Sequence, residues 1–315
     1  MRKTFARTLA ELAAADPRIL LLTGDLGFLA LEEFSERFPG RFLNMGVAEQ
    51  NMVGVATGLA EDGFLPFVYS ISTFASMRPY EFIRNGPIHH RLPVRIVGVG
   101  GGFEYGNAGV THFALEDLGL MRLQPDITLI APADFQQTRS ALMASWDMPG
   151  PIYYRIGKDD ETTVPGLDGR FELGRAQTIA EGQDLLMITA GSIASEVAAA
   201  AATLSRQGVH ATVMIVSCLN PVPVEDLTNA LSRFDLALTV EAHYVNGGVG
   251  SLVAEVIAEH GLDCRVIRCG VDRTPDGITG SQRFLEHEHG LSSDALVATA
   301  LAAIRSSVRS GEVAR

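Results

Sequence analysis

Short apolar runs alternate with helix-like segments along almost the whole chain, and this alternation limits the folds open to it. Residues 19–22 and 65–70 are two such runs. Uninterrupted apolar runs of this length are typical of strands that are buried on both faces of a parallel sheet. Segments that favour helices, among them 49–61 and 77–85, lie between and after the runs. The pattern therefore predicts an α/β fold with mostly parallel sheets.

A polar, turn-rich segment divides the alternation into two parts. Residues 157–172 contain a charged run followed by several glycine and proline turns, which is typical of a linker. At about 150 residues per domain, the chain is long enough for a domain on each side. We therefore predict a first α/β domain over residues 1–160, a linker over 161–172 and a second, smaller α/β domain over 173–315.

The composition argues against anionic partners and against a membrane location. The formal net charge is −12, which disfavours binding to nucleic acid or to an anionic membrane surface. No apolar run approaches the ~20 residues that a membrane-spanning helix needs. The three cysteines, at positions 218, 264 and 269, lack metal-ligand spacing, so we expect a reduced chain in the cytoplasm.

One segment superficially resembles a metal site. Residues 286–289 read Glu-His-Glu-His, which supplies ligand types but no fixed geometry. We interpret this run as a solvated polar segment. The sequence therefore predicts no metal ligands in this chain.

The strongest functional signal is a single carboxylate in an apolar, glycine-spaced stretch. Residues 44–52 read Asn-Met-Gly-Val-Ala-Glu-Gln-Asn-Met, and the glutamate is Glu49. A carboxylate in apolar surroundings is costly to bury unless it has a partner, and such groups cluster at functional sites. The alternative is an ordinary exposed charge at the start of a helix. Local sequence alone leaves both interpretations open.

The order and spacing of several short motifs favour the functional interpretation of Glu49. The motifs are Leu-Thr-Gly-Asp-Leu at 22–26, residues 44–50, Tyr-Ser-Ile-Ser-Thr-Phe at 69–74, Gly-Val-Thr-His at 109–112, 131–134, 153–155, 241–243 and 247–250. Together they resemble the C-terminal half of the transketolase family, which is a pyrimidine-binding domain followed by the transketolase C-terminal domain. The resemblance assigns residues 1–160 to the former and 173–315 to the latter.

The resemblance implies thiamine diphosphate as the cofactor. In this family a carboxyl group hydrogen-bonds the ring nitrogen of the cofactor's aminopyrimidine, and this role falls on Glu49. Phe74 would stack on the same ring, and Tyr80 would lie near it. Asp25 would lie near the positively charged thiazolium. The alternatives are that Phe74 and Tyr80 are core residues and that Asp25 caps a turn.

Two further residues are expected to contact substrate. His112 follows a glycine-rich loop, and the matching histidine in transketolases binds substrate hydroxyls and relays protons, which suits an imidazole. Arg155 corresponds to an arginine that holds a substrate phosphate in related enzymes. The alternatives are a structural histidine and an ion-paired arginine. Gly100 and Ala108 replace a histidine and an aspartate that read the sugar in ketose-phosphate transketolases, so the resemblance does not identify the substrate.

The sequence lacks the Gly-Asp-Gly motif with which a complete transketolase binds the metal and the diphosphate. The resemblance therefore implies a split enzyme. We expect an N-terminal transketolase-type subunit to supply the Mg²⁺ ligands, in an α2β2 assembly.

The expected reaction is transfer of a two-carbon ketol unit from a ketose or 2-oxo acid donor to an aldehyde acceptor. Glu49 and His112 would be its catalytic residues. One alternative is the β subunit of a 2-oxo acid dehydrogenase, and another is a deoxyxylulose-phosphate synthase-like enzyme. A third is a non-catalytic assembly or regulatory subunit that has kept the fold.

Overall fold

The computed structural model describes residues 1–313, and side chains up to residue 306. Within this part of the chain the strands are β1 Ile19–Thr23, β2 Phe42–Asn44, β3 Leu65–Ile71, β4 Arg95–Val99, β5 Thr128–Ile130, β6 Ile152–Ile156, β7 Gln177–Ala180, β8 Leu185–Thr189, β9 Ala211–Ile215, β10 Cys218–Asn220, β11 Leu236–Tyr244 and β12 Arg265–Val271. The α-helices are α1 Arg2–Ala15, α2 Glu32–Arg37, α3 Glu49–Glu61, α4 Ser72–Met77, α5 Tyr80–Ile83, α6 Asp117–Arg122, α7 Phe135–Ser145, α8 Ala194–Arg206, α9 Val224–Leu231, α10 Val249–His260, α11 Gln282–Glu288 and α12 Ser293–Val313.

The strands form two sheets, which confirms the predicted α/β class. The first has the order β10-β5-β6-β4-β3-β1-β2, and the second has the order β12-β11-β8-β9-β7. All pairs are parallel except β10 with β5 and β7 with β9, which pair at sheet edges. The central strands β1, β4 and β6 are buried along their whole length, as their mostly apolar character predicts, although β4 contains Arg95 and β6 contains Arg155.

Several apolar cores hold these layers together. One core packs α1 and α7 on one face of the first sheet, where Phe5 and Phe67 are fully buried. Another packs α8 and α12 against the second sheet. A further core is continuous from Met52 of α3 to Leu252 of α10. Buried apolar side chains are therefore in contact across the two halves of the chain.

The predicted helix over residues 77–85 is wrong in its bounds. The structure has α4 directly after β3, a break at Arg78 and Pro79, the short α5, and a π-helical turn over Arg84–Ile88. Proline lacks the N–H that continues a helical ladder, and Pro79 lies at this break. Because α4 begins directly after β3, Phe74 lies in the first turn of α4, close to the carboxyl end of β3.

Candidate active site

Glu49 lies at the first turn of α3, next to the carboxyl ends of β1 and β3. Its side chain is 1% exposed, and both carboxylate oxygens have partners. Ser70 Oγ donates to Oε1 at 2.9 Å, and an Arg78 guanidinium nitrogen donates to Oε2 at 2.8 Å. A helix N-terminus also favours a negative charge. The carboxylate predicted from the sequence is therefore buried and held in one orientation.

Gly24, which follows β1, makes room for this carboxylate. A Cβ atom at Gly24 would lie 3.3 Å from Glu49 Oε1 and 3.6 Å from Ser70 Oγ. Real Cβ contacts are rarely closer. The glycine of the Thr-Gly-Asp motif therefore has a steric role in the position of Glu49.

A chain of contacts leads from Glu49 through Arg78 to Phe74, and from Phe74 to His112. The Arg78 guanidinium carbon is 3.8 Å from the centroid of the Phe74 ring. The His112 ring meets the Phe74 ring edge-on, with centroids 5.0 Å apart and planes inclined at 68°. In sequence, Phe74 is 25 positions after Glu49, and His112 is 38 positions after Phe74. Arg78 is not among the site residues that the sequence predicts, because no local pattern connects it to Glu49.

His112 is placed by the loop that follows β4. It ends a 3₁₀ turn over Val110–His112, and Gly109 enters that turn with φ +87°. That conformation is strained for any residue with a side chain. Thr111 Oγ1 lies 3.0 Å from His112 Nδ1, which leaves Nε2 as the ring nitrogen that this contact does not use.

Tyr80 has the contacts of a packing residue. Its hydroxyl donates to the Leu120 carbonyl at 3.0 Å and accepts from Gln124 Nε2 at 2.7 Å. Both partners belong to α6 or follow it, so the hydroxyl connects α5 to α6. Contact of Tyr80 with a cofactor stays a prediction.

Asp25 lies in the turn after β1, in a left-handed conformation with φ +59°. The side chain is exposed. Its Oδ1 accepts a hydrogen bond from Asn44 Nδ2 at 2.8 Å, so the carboxylate joins the ends of β1 and β2. The turn geometry fits the alternative interpretation as well as it fits a cofactor contact, which stays a prediction.

Arg155 is buried in β6 rather than exposed as in an ordinary surface ion pair. Its Nε lies 3.0 Å from Asp117 Oδ2. The same guanidinium donates to the carbonyl oxygens of Ala114 and Ala242, each at 2.8 Å. Tyr153 also donates to Asp117, at 2.9 Å. These contacts tie the first sheet to β11 of the second, and the phosphate-binding role predicted for Arg155 stays a prediction.

The Gly-Gly-Val-Gly turn at 247–250 is held by a buried carboxylate, Glu241. Glu241 accepts hydrogen bonds from the backbone N–H groups of Val249 and Gly250, at 2.9 and 3.0 Å. It therefore caps the start of α10, where these N–H groups have no partner within the helix. Burial raises the pKa of Glu241 to about 7.

Neither a metal cluster nor a membrane-spanning helix is present in the described residues. In that part of the chain, no group of three or more His, Cys, Asp or Glu side chains is arranged to hold a metal ion. No helix there combines the length and apolar character that crossing a membrane requires.

The chain is similar to known proteins over most of its length. Residues 1–161 match the transketolase pyrimidine-binding domain, and residues 174–296 match the transketolase C-terminal domain. One subunit of the apulose-4-phosphate transketolase of Phocaeicola vulgatus is 34% identical over 305 residues, which are 95% of this chain and 96% of that protein. The 1-deoxy-D-xylulose-5-phosphate synthase of Desulforudis audaxviator is 33% identical over 305 residues, which are 95% of this chain and 47% of that protein.

A solved structure supports the same conclusion. A split-gene transketolase, described as an inactive β4 tetramer, superposes with a TM-score of 0.85 at 34% identity, and the superposition covers 96% of this chain and 97% of that chain. These similarities confirm the resemblance inferred from the motifs. The chain therefore belongs to the transketolase family and carries its pyrimidine-binding and C-terminal domains.

Proposed function

We propose that this transketolase-type subunit transfers a two-carbon ketol unit from a ketose donor to an aldehyde acceptor, together with a partner subunit and thiamine diphosphate. The observation that carries the proposal is the position of Glu49. A fully buried carboxylate at the carboxyl ends of parallel strands is linked through Arg78 to an aromatic face, Phe74, and Phe74 contacts a histidine, His112. Ligands of α/β proteins bind at this edge of the sheet.

The residues present fit an aminopyrimidine ring. A planar group bearing N–H donors, the Arg78 guanidinium, already bonds to Glu49 and lies over the Phe74 ring. An aminopyrimidine is also planar, and its ring nitrogen can share a hydrogen bond with the same carboxylate. Glu49 would hold the ring nitrogen, and Phe74 would fix the plane of the ring.

When bound, thiamine diphosphate supplies the nucleophilic carbon that attacks a ketone and allows the adjacent C–C bond to break. Glu49 holds a proton at the ring nitrogen, and its hydrogen bond is strengthened by the exclusion of water. Ser70 keeps the carboxylate in place. His112, which lies at the edge of Phe74, would exchange a proton with a substrate hydroxyl.

The proposal includes an N-terminal transketolase-type subunit that binds Mg²⁺ and the diphosphate, in an α2β2 assembly. The motif for these ligands is missing from this sequence. Relatives described as one subunit of a transketolase and as a split-gene transketolase support a divided enzyme. The three free cysteines support a reducing, cytoplasmic compartment.

The test is to reconstitute the chain with the N-terminal transketolase-type subunit that copurifies with it, thiamine diphosphate and Mg²⁺, and then to analyse the products. We expect the wild-type complex to transfer a ketol unit from a ketose to an aldehyde, and we expect the Glu49→Gln variant to lose this activity. Glu61→Gln is the matched control, because Glu61 is an exposed residue at the other end of α3. Loss of activity only in Glu49→Gln supports the proposal.

Other outcomes identify the alternatives. Release of carbon dioxide from a 2-oxo acid would instead indicate a 2-oxo acid dehydrogenase β subunit or a deoxyxylulose-phosphate synthase-like enzyme. The similarity to the synthase of Desulforudis audaxviator is the observation that favours the second of these. Turnover that Glu49→Gln leaves unchanged would indicate a non-catalytic subunit.

A further inference from the structure

Arg78 contacts both groups that are proposed to hold the cofactor ring. One guanidinium nitrogen is 2.8 Å from Glu49 Oε2, and the guanidinium carbon is 3.8 Å from the Phe74 ring centroid. Arg78 lies at the break between α4 and α5, and its side chain is 42% exposed, whereas that of Glu49 is 1% exposed. One end of this ion pair is therefore fixed and buried, and the other can move into water.

Of the two carboxylate oxygens of Glu49, only Oε2 is available to bond to a cofactor ring. Oε1 accepts from Ser70 and lies against the backbone of Gly24, where even a Cβ atom would come within 3.3 Å. Oε2 is the oxygen that faces Arg78. A ring that bonds to Oε2 and stacks on the same face of Phe74 needs the space of the guanidinium. The ion pair and the ring contact therefore exclude each other.

We propose that Arg78 is a positioning residue that occupies the aminopyrimidine site of the subunit and must leave when the cofactor binds. This inference rests on the function proposed above. A buried carboxylate without a partner is strongly destabilising, and the planar guanidinium, which bonds and stacks at once, supplies that partner. The cofactor then takes over both contacts, while Arg78 regains its hydration.

The proposal makes cofactor affinity depend on a competition within the chain. When the competent form of a site is only a fraction of the total, the apparent Kd is raised by the inverse of that fraction. Removing the guanidinium removes the competitor. The same substitution removes the partner of Glu49, so the isolated subunit loses stability while the complex gains affinity. If Arg78 simply contacted the cofactor, its removal would lower both the stability of the subunit and the affinity of the complex for the cofactor.

The experiment measures thiamine diphosphate binding to the two-subunit complex with Mg²⁺, by calorimetry. We expect Arg78→Ala to lower the Kd about tenfold and Arg78→Lys, which keeps the charge without the planar stack, to lower it less. Arg84→Ala is the matched control, since Arg84 is exposed and bonds to Asn85 rather than to Glu49. It is expected to bind as the wild type does.

A second measurement uses the isolated subunit and needs no cofactor. Urea unfolding of Arg78→Ala, Glu49→Ala and the double variant gives the coupling between the two side chains. We expect Arg78→Ala to be less stable than wild type and the double variant to recover part of the loss. Additive losses would overturn the inference.

The outcomes separate the two proposals. If the wild-type complex binds thiamine diphosphate and the Arg78→Ala complex binds it equally well or more weakly, the inference is overturned and the proposed function stands. Absence of binding to the wild-type complex overturns the proposed function, and the inference with it. Tighter binding by Arg78→Ala, with Arg84→Ala unchanged, supports both.

Discussion

Arg155 Nε lies 3.0 Å from Asp117 Oδ2, and both side chains are almost completely buried. The same guanidinium reaches the Ala242 carbonyl of β11. We expect Arg155→Met to destabilise the chain by ~3–5 kcal/mol, because it leaves the Asp117 carboxylate buried without its cation.

Urea unfolding checks this, with Arg139→Met as control. Arg139 forms an ion pair with Glu11 in which both side chains are nearly half exposed, so its loss is expected to cost less than ~1 kcal/mol. A raised KM with unchanged unfolding would show instead that Arg155 contacts substrate.

Gly24→Ala tests the steric role of the glycine beside Glu49. The added Cβ would lie 3.3 Å from Oε1, and the buried carboxylate is held at that oxygen by Ser70, so it cannot yield freely. Small displacements of a reacting group are costly in rate, and we expect kcat to fall about tenfold. Gly40→Ala is the control, since no atom lies within 4 Å of its added Cβ. Equal kcat values for both variants would contradict this role.

Phe74 and Tyr80 are expected to differ in their effect on cofactor binding. Loss of an aromatic stack costs ~0.5–1.5 kcal/mol, so Phe74→Leu should raise the Kd for thiamine diphosphate by about two- to twelvefold. Tyr80→Phe removes hydrogen bonds to Leu120 and Gln124 and should lower stability by about 1 kcal/mol with little change in Kd. Calorimetry and urea unfolding of both variants decide this, and a large Kd change in Tyr80→Phe would place its hydroxyl in the cofactor site.

His112→Ala is expected to lower kcat/KM by about 10²–10⁴-fold, the usual contribution of a positioned acid or base. Because the ring also packs edge-on against Phe74, the variant could act through that contact. His112→Phe keeps an aromatic ring there and removes the nitrogens. Activity restored in His112→Phe would limit the histidine to packing, and a flattened pH–rate profile in both variants would support proton transfer.

Glu241 is expected to make stability depend on pH. Burial raises its pKa from 4.5 to about 7, so the folded chain keeps a proton that the unfolded chain loses. The free energy of unfolding should therefore fall as the pH rises from about 4.5 to about 7, by up to roughly 3 kcal/mol. Glu241→Gln should remove this part of the fall.

Urea unfolding of both proteins across this pH range provides the measurement. Burial also raises the pKa of Glu286 to about 7, so Glu286→Gln should remove a separate part of the fall in unfolding free energy. A pH dependence that neither variant changes would exclude both carboxyl groups as its source.

The sequence by itself determined the elements whose signals are local. Helix α3 has the bounds 49–61 that its residues predict, because a glutamate at the start and small, apolar residues along it are consistent with one helix. The buried strands of the first sheet follow from uninterrupted apolar runs. Burial of Glu49 was not settled locally, because its neighbours in sequence left an exposed charge at the helix start equally open, and the structure decided it.

The tertiary structure alone decided the pairings between distant segments. Strand β10 joins the first sheet although in sequence it lies between β9 and β11, which both belong to the second, and a three-residue strand carries no pattern of its own. The contacts of Glu49 with Arg78, and of Arg155 with Asp117, span 29 and 38 positions. Local propensity does not encode such contacts, because they exist only where the folded sheet brings the carboxyl ends of its strands together.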